Sequence, residues 1–433
     1  MSAPLRARLQ SIGDFFRTQR HLVAIRDGVV GALPLVLVGS VFLLIAQPPS
    51  QALQQWVAPW VPVLLVPYRM LGGLIAVYVT FSCAHSLAKS YSLDPMSNGL
   101  LAMAAYLLAA FPTPDLAGVA AAGAPVLPVA RLGAGGIFAG LLLAITTVEL
   151  TRFFVQRNWT IRLPGSAPEI VVRSFVALIP ALAMVVLTFL VVHVAGVDLV
   201  HLLEALSAPF VRATGSLPAA LAVVGIDSAL WILGVHASAA LATLRPLWET
   251  MLLQNMEAAL RGDAVLPHIA NQHFYLWFVW QGGSGATLPL AIHLIRARSS
   301  QLRGIGKVGL IPAVCNINEP ILFGAPVVMN PRLAVPFFVV PVLSALTAYT
   351  AFSFNLVTRP WLEMPWTLPA PIGAFLSTGG DWRALMLQLF NLALGLLVYW
   401  PFVRRYDAEL LGREQAAPAV PGVVGLSSTA HGA

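Results

Sequence analysis

Long apolar runs recur along this chain of 433 residues and restrict it to folds that a lipid bilayer can solvate. A helix needs about 20 apolar residues to cross the hydrocarbon core of a membrane. The candidate runs are 28–46, 70–89, 95–111, 133–155, 172–195, 217–240, 273–295, 332–357 and 384–403. Charged residues make up 10% of the chain, whereas soluble domains carry about 25%. The sequence therefore predicts an all-α polytopic membrane protein that is embedded in a lipid bilayer.

The distribution of arginine predicts the orientation. Arginines concentrate in residues 6–26 and 152–173, whereas the alternate connections, 47–69 and 112–132, hold only Arg69 and Arg131. Positive residues accumulate in cytoplasmic loops, so both termini are expected in the cytoplasm. Two cytoplasmic ends need an even number of crossings. The runs above, with one crossing from the broken region 245–330, predict about ten transmembrane helices.

The chain divides near its middle. Residues 197–216 carry Asp198, His201, Glu204 and Arg212 between apolar residues at helical spacing, which is typical of an interfacial amphipathic helix. This linker separates the five runs of residues 1–196 from a more irregular half, residues 217–407. Residues 408–433 are rich in Ala, Gly, Ser and Pro, so we predict a disordered tail.

Several classes of function are disfavoured by the sequence. The net charge of +7 is spread between apolar runs, so we expect no nucleic-acid partner. The two cysteines, Cys83 and Cys315, form no CxxC pair, and no HExxH, phosphate-loop or dinucleotide-binding pattern occurs. We therefore expect neither a metal site nor a cofactor.

Glu319 stands in an apolar stretch, "CNINEPILFGAPVVMNP", at residues 315–331. A charge at bilayer depth costs at least about 2.5 kcal/mol, so it must lie near an interface, be paired, or face a wet cavity. Pro320 and Pro326 interrupt helical hydrogen bonding. Irregular backbone at that depth is tolerated where it lines a cavity. We predict a re-entrant hairpin presenting Asn318 and Glu319 to a polar ligand; the alternative is an interfacial carboxylate that caps a helix.

Two other stretches hold candidate polar groups. His236 lies among small residues in "WILGVHASAALATLRP", where it is either functional or a packed histidine bonded to the backbone. The stretch "WFVWQGGSGATLPL", 277–290, contains glycines that permit an unwound turn. Trp277 and Trp280 precede that turn. We interpret Trp280 as part of an interfacial aromatic belt, whereas Trp277 fits either a belt or a sugar.

The same glycine-rich stretch contains a G-x-S-G pattern, which also marks the nucleophile of intramembrane serine proteases. Ser284 would then need a histidine such as His236 within hydrogen-bond reach. That chemistry leaves Glu319 without a role, so a protease is a remote alternative. Residues 362–384 are too rich in Pro and Gly for a helix and predict a long loop, which is uncommon unless functional.

Taken together, these stretches resemble the membrane permease, enzyme IIC, of the bacterial sugar phosphotransferase system, in its lactose/cellobiose/diacetylchitobiose branch. The matching motifs, in the order of the family, are "YSLDPMSNGLLAMAAYL", "GVH", "GGSGATL", "NINEPILFGAPVVMNP" and "PWTLP" with "TGGDWRA". The resemblance covers residues 5–410.

The resemblance implies a homodimer in the bacterial inner membrane. Residues 1–196 would form the dimerisation scaffold, and residues 217–407 a sugar-binding transport domain with two re-entrant hairpins. A disaccharide would be carried inward and phosphorylated on its 6-hydroxyl by a separate phosphorylated IIB protein. That protein would supply the phosphoryl-donor cysteine, so whether this permease itself counts as an enzyme stays open.

The resemblance also implies roles for particular residues. Glu319 and His236 would hold the 6-hydroxyl end of the sugar as catalytic groups. The proposed substrate-binding residues are Asn316, Asn318, Trp366, Gly282, Gly283 and Ser284. The main rival is a stand-alone proton-coupled sugar transporter, in which Glu319 and His236 would relay protons.

Overall fold

The computed structural model describes residues 18–48, 51–111, 127–161, 169–233, 244–325 and 330–416, with positions 237, 241 and 327. Within these residues the protein is helical and contains no β-strand. This confirms the predicted all-α class. His236 and residues 417–433 of the expected tail lie outside the described residues.

The N-terminal half is a bundle of apolar helices. Its elements are α1 (Arg20–Ala46), α2 (Gln51–Val57), α3 (Val61–Leu71), α4 (Ile75–Ser90), α5 (Pro95–Ala110), α6 (Ile137–Gln156) and α7 (Glu169–Phe189). A π-helical turn, Leu190–Val194, prolongs α7. The predicted runs 28–46, 95–111 and 172–195 fall within α1, α5 and the extended α7 to within a residue. The run 133–155 begins four residues before α6, and the run 70–89 crosses the turn 72–74 between α3 and α4.

Small residues let α1 and α4 approach closely. A Cβ atom at Gly28 would lie 2.7 Å from the Cβ of Cys83, which is itself fully buried. Close backbone approach at glycine is the usual way that helices pack where no hydrophobic effect drives them together. The buried Cys83 thiol therefore belongs to the packed interior of this half.

The expected linker is helical. Helix α8 (Leu199–Thr214) begins after Asp198, whose Oδ1 accepts a hydrogen bond from the backbone N of His201 at 3.1 Å. Asp198 also pairs with Arg131 at 2.5 Å. Helix α9 (Leu217–Ile232) follows at an angle of 67° to α8. The predicted linker is therefore a helix that is sharply bent from the helix after it.

The C-terminal half consists of shorter and broken helices. They are α10 (Arg245–Arg261), a π-helical segment (Phe274–Val279), α11 (Thr287–Leu294), α12 (Ser300–Val314), α13 (Glu319–Gly324), α14 (Pro331–Ser353), α15 (Ala370–Ser377) and α16 (Trp382–Ala416). The predicted interruption between 305 and 330 is present as the turn between α12 and α13.

Three sequence predictions for this half are wrong. The run 273–295 is not one crossing helix, because residues 280–286 unwind between the π-helical segment and α11. The proline-rich stretch 362–384 includes a short helix, α15. Residues 408–416 of the expected disordered tail continue α16 as helix.

Six helical stretches among the described residues are long and apolar enough to cross a membrane, and the bent pair α8–α9 adds a seventh if counted as one span. The predicted total of about ten is not confirmed. The difference arises because α5, α10 and α11 are shorter than a full span. Broken helices of this kind expose backbone groups, which must be satisfied inside the protein.

Candidate functional site

A cavity of about 460 Å³ lies where the broken helices of the C-terminal half meet. Its polar walls come from α9, α10, the unwound residues 280–286, the turn between α12 and α13, and the loop before α15. One wall is apolar and belongs to the other half, where Leu33 and Leu37 of α1 face the cavity. The volume is within the range of small-molecule sites.

Asn316 joins three separate motifs at the cavity wall. Its Oδ1 accepts a hydrogen bond from the backbone N of Gly282 at 3.0 Å. Its Nδ2 donates to the carbonyl oxygens of Trp366 at 2.8 Å and Leu368 at 2.9 Å. Asn316 has φ of 62°, a left-handed conformation that asparagine tolerates. It therefore holds the "GGSG", "NINEP" and "PWTLP" segments in one arrangement.

Asn318 makes the second connection between these segments. Its Nδ2 donates to the carbonyl oxygen of Ser284 at 2.9 Å. Gly283 has φ of 99°, and a Cβ there would lie 2.6 Å from Cγ of Asn318. Glycine is required because the backbone turns through the left-handed region and another chain segment lies against it. The turn and Asn318 thus form one tightly fitted wall.

Glu319 occupies the first position of α13 and lines the cavity. Its side chain is exposed, and no ion pair or hydrogen bond engages its carboxylate within the described residues. A carboxylate at a helix N-terminus is favoured by the helix dipole. The carboxylate of Glu319 is thus available to a ligand in the cavity.

Asp227 is a buried carboxylate that the sequence analysis missed. It lies in α9, is 3% exposed and accepts a hydrogen bond from Oγ of Ser284 at 3.1 Å. Its Oδ2 is buried and has no hydrogen-bond partner among the described residues, and Asp227 is part of the cavity lining. The available signal was an aspartate inside the apolar run 217–240, since intramembrane carboxylates are functional by default.

Two further carboxylates line the cavity. Glu249 of α10 and Glu363 of the loop before α15 are both nearly buried. Nε2 of His273 lies 3.4 Å from Oε1 of Glu363, which is close enough for an ion pair but lacks hydrogen-bond geometry. Glu249 was missed because its helix was set aside as an irregular segment, whereas Glu363 lies in the stretch 362–384, which was singled out as a whole without naming its carboxylate.

Indole rings complete the cavity. Trp231, Trp248, Trp280 and Trp366 all line it. The ring of Trp280 stacks on Tyr275 with centroids 5.2 Å apart, so the aromatic-belt interpretation of Trp280 is wrong. Trp277 is fully buried in the core instead. Aromatic faces beside carboxylates and amides fit a ligand with both C–H faces and hydroxyl edges.

The structure brings together most of the predicted site residues. Glu319, Asn316, Asn318, Trp366, Gly283 and Ser284 line the cavity. Gly282 lies just behind it, in the turn fixed by Asn316. No three His, Cys, Asp or Glu side chains of the described part of the chain are placed to hold a metal ion.

A cavity lined by polar groups and bounded by broken helices, within a protein whose outer surface is apolar, defines a membrane transporter for a polar solute. The chain belongs to the EIIC family of the phosphotransferase system, whose family model matches residues 26–341. The protein therefore sits in the bacterial cell membrane as a permease of this system.

Three named proteins are similar to this chain over nearly its full length. The cellobiose-specific EIIC component of Geobacillus stearothermophilus is 35% identical, with 98% of each chain covered. The lactose-specific EIICB component of Lacticaseibacillus casei is 27% identical, over 95% of this chain and 72% of that protein. The crystal structure of ChbC, the IIC component of a diacetylchitobiose-specific phosphotransferase system, matches with a TM-score of 0.87 and 31% identity. It covers 96% of this chain and 100% of that one.

Proposed function

We propose that this permease binds a disaccharide of the cellobiose, chitobiose or lactose type and carries it inward for phosphorylation at its 6-hydroxyl. The observation that carries the proposal is the cavity in which Asp227, Glu249 and Glu319 stand beside four indole rings. Carboxylates replace the water around sugar hydroxyls with charge-assisted hydrogen bonds. The sugars named for the relatives above support the same class of substrate.

In this proposal the polar groups divide into two roles. Glu319 contacts the 6-hydroxyl and accepts its proton as the phosphoryl group is transferred, which is general-base catalysis. Asn316 and Asn318 are positioning residues, because their amide groups are occupied by backbone partners. The catalytic role of His236 stays a prediction, since its position is outside the described residues.

The partners and orientation form part of the same proposal. A separate phosphorylated IIB protein donates the phosphoryl group; one relative carries the B component in the same chain, as its EIICB name states. Two copies of the chain pair through residues 1–196, both termini face the cytoplasm, and α8 lies as an amphipathic linker at the membrane–water interface. An even number of crossings, about ten, with two re-entrant hairpins within residues 217–407, satisfies that orientation.

Neither rival function gains support. Family membership favours phosphorylation-coupled transport over a stand-alone proton-coupled carrier. The hydroxyl of Ser284 donates to the carboxylate of Asp227. That arrangement fixes the turn and differs from the serine–histidine pair that a protease needs.

Uptake into membrane vesicles tests the proposal directly. Vesicles containing this chain are given labelled cellobiose, chitobiose or lactose, with and without phosphorylated IIB protein inside. We expect accumulation of sugar phosphate that depends on the phosphorylated partner. Accumulation of unmodified sugar driven by a proton gradient alone would contradict the proposal.

Replacement of Ser284 by alanine is expected to retain transport. The change removes one hydrogen bond to Asp227 and leaves room for a water molecule in place of the hydroxyl, since both residues line the cavity. A bridging water is nearly as good as a direct hydrogen bond, so the loss of uptake should stay within about tenfold. Loss of activity together with labelling of Ser284 by a serine-directed phosphonate would instead indicate a nucleophile.

A cysteine-free variant, Cys83→Ser with Cys315→Ser, is expected to keep phosphoryl transfer from IIB to sugar. Cys83 is fully buried against α1, and a buried thiol in apolar surroundings is not an activated nucleophile. Serine preserves the volume, so α1 and α4 should still pack. Normal sugar binding without formation of sugar phosphate would show that the phosphoryl group passes through this chain.

A further inference from the structure

A second cavity, of about 640 Å³, lies beside the C-terminal part of α16 and shares no lining residue with the first. One side is formed by the end of α11 and the connection to α12, which carry His293, Arg296 and Arg298. The other side is the outer face of α16 around Trp400 and Arg404. The function proposed above uses none of these residues.

The positive charge of this cavity is not neutralised by its own carboxylate. Asp407 lines the cavity, but its two oxygens accept hydrogen bonds from the backbone N atoms of Arg298 at 2.9 Å and Ser299 at 2.8 Å. Glu414 likewise accepts from the backbone N of Ser300 at 3.0 Å. Both carboxylates therefore cap the start of α12, and neither forms an ion pair with Arg296, Arg298 or Arg404.

Other ion pairs at this end of the protein use different arginines. Glu409 pairs with Arg332 at 2.5 Å and with Arg413 at 2.6 Å. Within the described part of the chain, Arg296, Arg298 and Arg404 form no ion pair, although all three line one cavity. Three arginines therefore face one carboxylate in the cavity lining, and the excess positive charge suits an anion with several oxygen atoms.

The cavity opens onto the apolar outer surface of a membrane-spanning helix. Leu397 is 73% exposed and Trp400 is 53% exposed. Both share a face of α16 with Arg404 because they precede it by seven and four residues. The guanidinium carbon of Arg404 lies 5.4 Å from the centroid of the Trp400 ring. Tryptophan is enriched at the level of lipid headgroups, so this face runs from hydrocarbon to the charged interface.

We propose that this cavity binds the phosphodiester headgroup of an anionic phospholipid such as phosphatidylglycerol. Arg296, Arg298 and Arg404 donate hydrogen bonds to the phosphate oxygens, and the acyl chains lie along Leu397 and Trp400. A phosphorylated protein would approach from water and would leave this adjoining apolar face unused. In the proposed orientation this end of α16 is cytoplasmic, where basic cavities between membrane helices bind such headgroups.

Native mass spectrometry of the full-length protein in detergent tests the proposal. The lipids are phosphatidylglycerol and phosphatidylcholine with identical acyl chains. We expect the protein to retain phosphatidylglycerol preferentially, and the Arg296→Gln/Arg404→Gln variant to bind it at least about tenfold more weakly. The matched control is Lys307→Gln/Arg405→Gln, which removes the same charge from α12 and α16 at residues outside the cavity lining. It should change the affinity by less than about twofold.

Three results would overturn the proposal. The first is equal phosphatidylglycerol affinity in wild type and the cavity variant. The second is displacement of the lipid by inorganic phosphate at equal concentration, which would identify a site for the free anion. The third is unchanged lipid binding with impaired phosphoryl transfer from phosphorylated IIB, which would identify a protein-docking surface. If the double variant does not fold, the single Arg296→Gln change gives the same comparison, because that side chain is exposed.

Discussion

The variant Glu319→Gln is expected to fold normally, keep its oligomeric state and lose phosphorylation-coupled sugar uptake. Glutamine preserves the shape of the side chain at the first position of α13 but cannot accept the proton of the 6-hydroxyl. Removing a general base costs about 10²–10⁴ in rate, so sugar phosphate formation should fall at least about 100-fold. Sugar binding should weaken much less, by about tenfold, because a neutral hydrogen bond replaces a charge-assisted one.

The measurement separates these two effects. Sugar affinity is determined by calorimetry without the partner, and sugar phosphate is counted in vesicles that contain phosphorylated IIB. Glu204→Gln is the matched control, because Glu204 is an exposed carboxylate in α8 that does not line the cavity. Phosphoryl transfer at the wild-type rate in Glu319→Gln would show that Glu319 is not the general base. Equal losses of sugar affinity and of phosphoryl transfer would show that Glu319 binds the sugar without acting as a base.

The variant Asn316→Ala is expected to destroy the sugar site. It leaves the backbone N of Gly282 and the carbonyl oxygens of Trp366 and Leu368 without their partner. Each unsatisfied buried polar group costs about 1–3 kcal/mol. Alanine at a φ of 62° adds about 1 kcal/mol of backbone strain. We expect sugar binding to fall at least about 100-fold.

Two controls separate the causes of that loss. Asn316→Gly removes the same hydrogen bonds but relaxes the backbone, so it should retain most of the defect. Asn355→Ala imposes the same kind of strain, at a φ of 53°, on an exposed asparagine outside the cavity. It should leave sugar binding unchanged. Full binding by Asn316→Gly would mean that the amide group does not hold the cavity wall.

Continuous apolar helices were predictable from the sequence. Helices α1, α6 and α16 occupy the predicted runs because a lipid-solvated helix needs a long stretch without charges. The interruption between α12 and α13, at residues 315–318, was also predictable, because Pro320 cannot continue a helix and stands instead in the first turn of a new one. Both signals reside within a few neighbouring residues, so no knowledge of tertiary contacts was needed.

The break inside 273–295 depends on contacts that are distant in sequence. The run is apolar enough for a crossing helix, and its glycines alone only permit unwinding. The turn is fixed by Asn316 on Gly282 and by Asn318 against Gly283. A ring from α14, Phe337, fills the space where a side chain at Gly285 would stand. The sequence shows that such a turn is allowed, and tertiary packing decides that it forms.

Among the carboxylates of the cavity, one was predictable from its local sequence and two were not. Glu319 was predictable because its prolines and asparagines mark a broken helix around it. Asp227 lies in an unbroken helix, and Glu249 in one that was too short to count as a span. Their convergence on one cavity follows from the packing of α9 against the turn at Ser284 and of α10 beside Glu363. No local pattern contains that information.

Leu33 and Leu37 of α1 are the residues that the N-terminal half contributes to the lining of the cavity within the described part of the chain. Neither side chain offers a hydrogen bond. Among the described residues, every polar side chain that lines the cavity lies after residue 217. Asn316 and Asn318 hydrogen-bond the segments around Ser284 and Trp366 to the start of α13. In the proposed transport cycle, a sugar bound to these groups would move together with the C-terminal half against residues 1–196. It would break no hydrogen bond to α1 on the way, because Leu33 and Leu37 offer none.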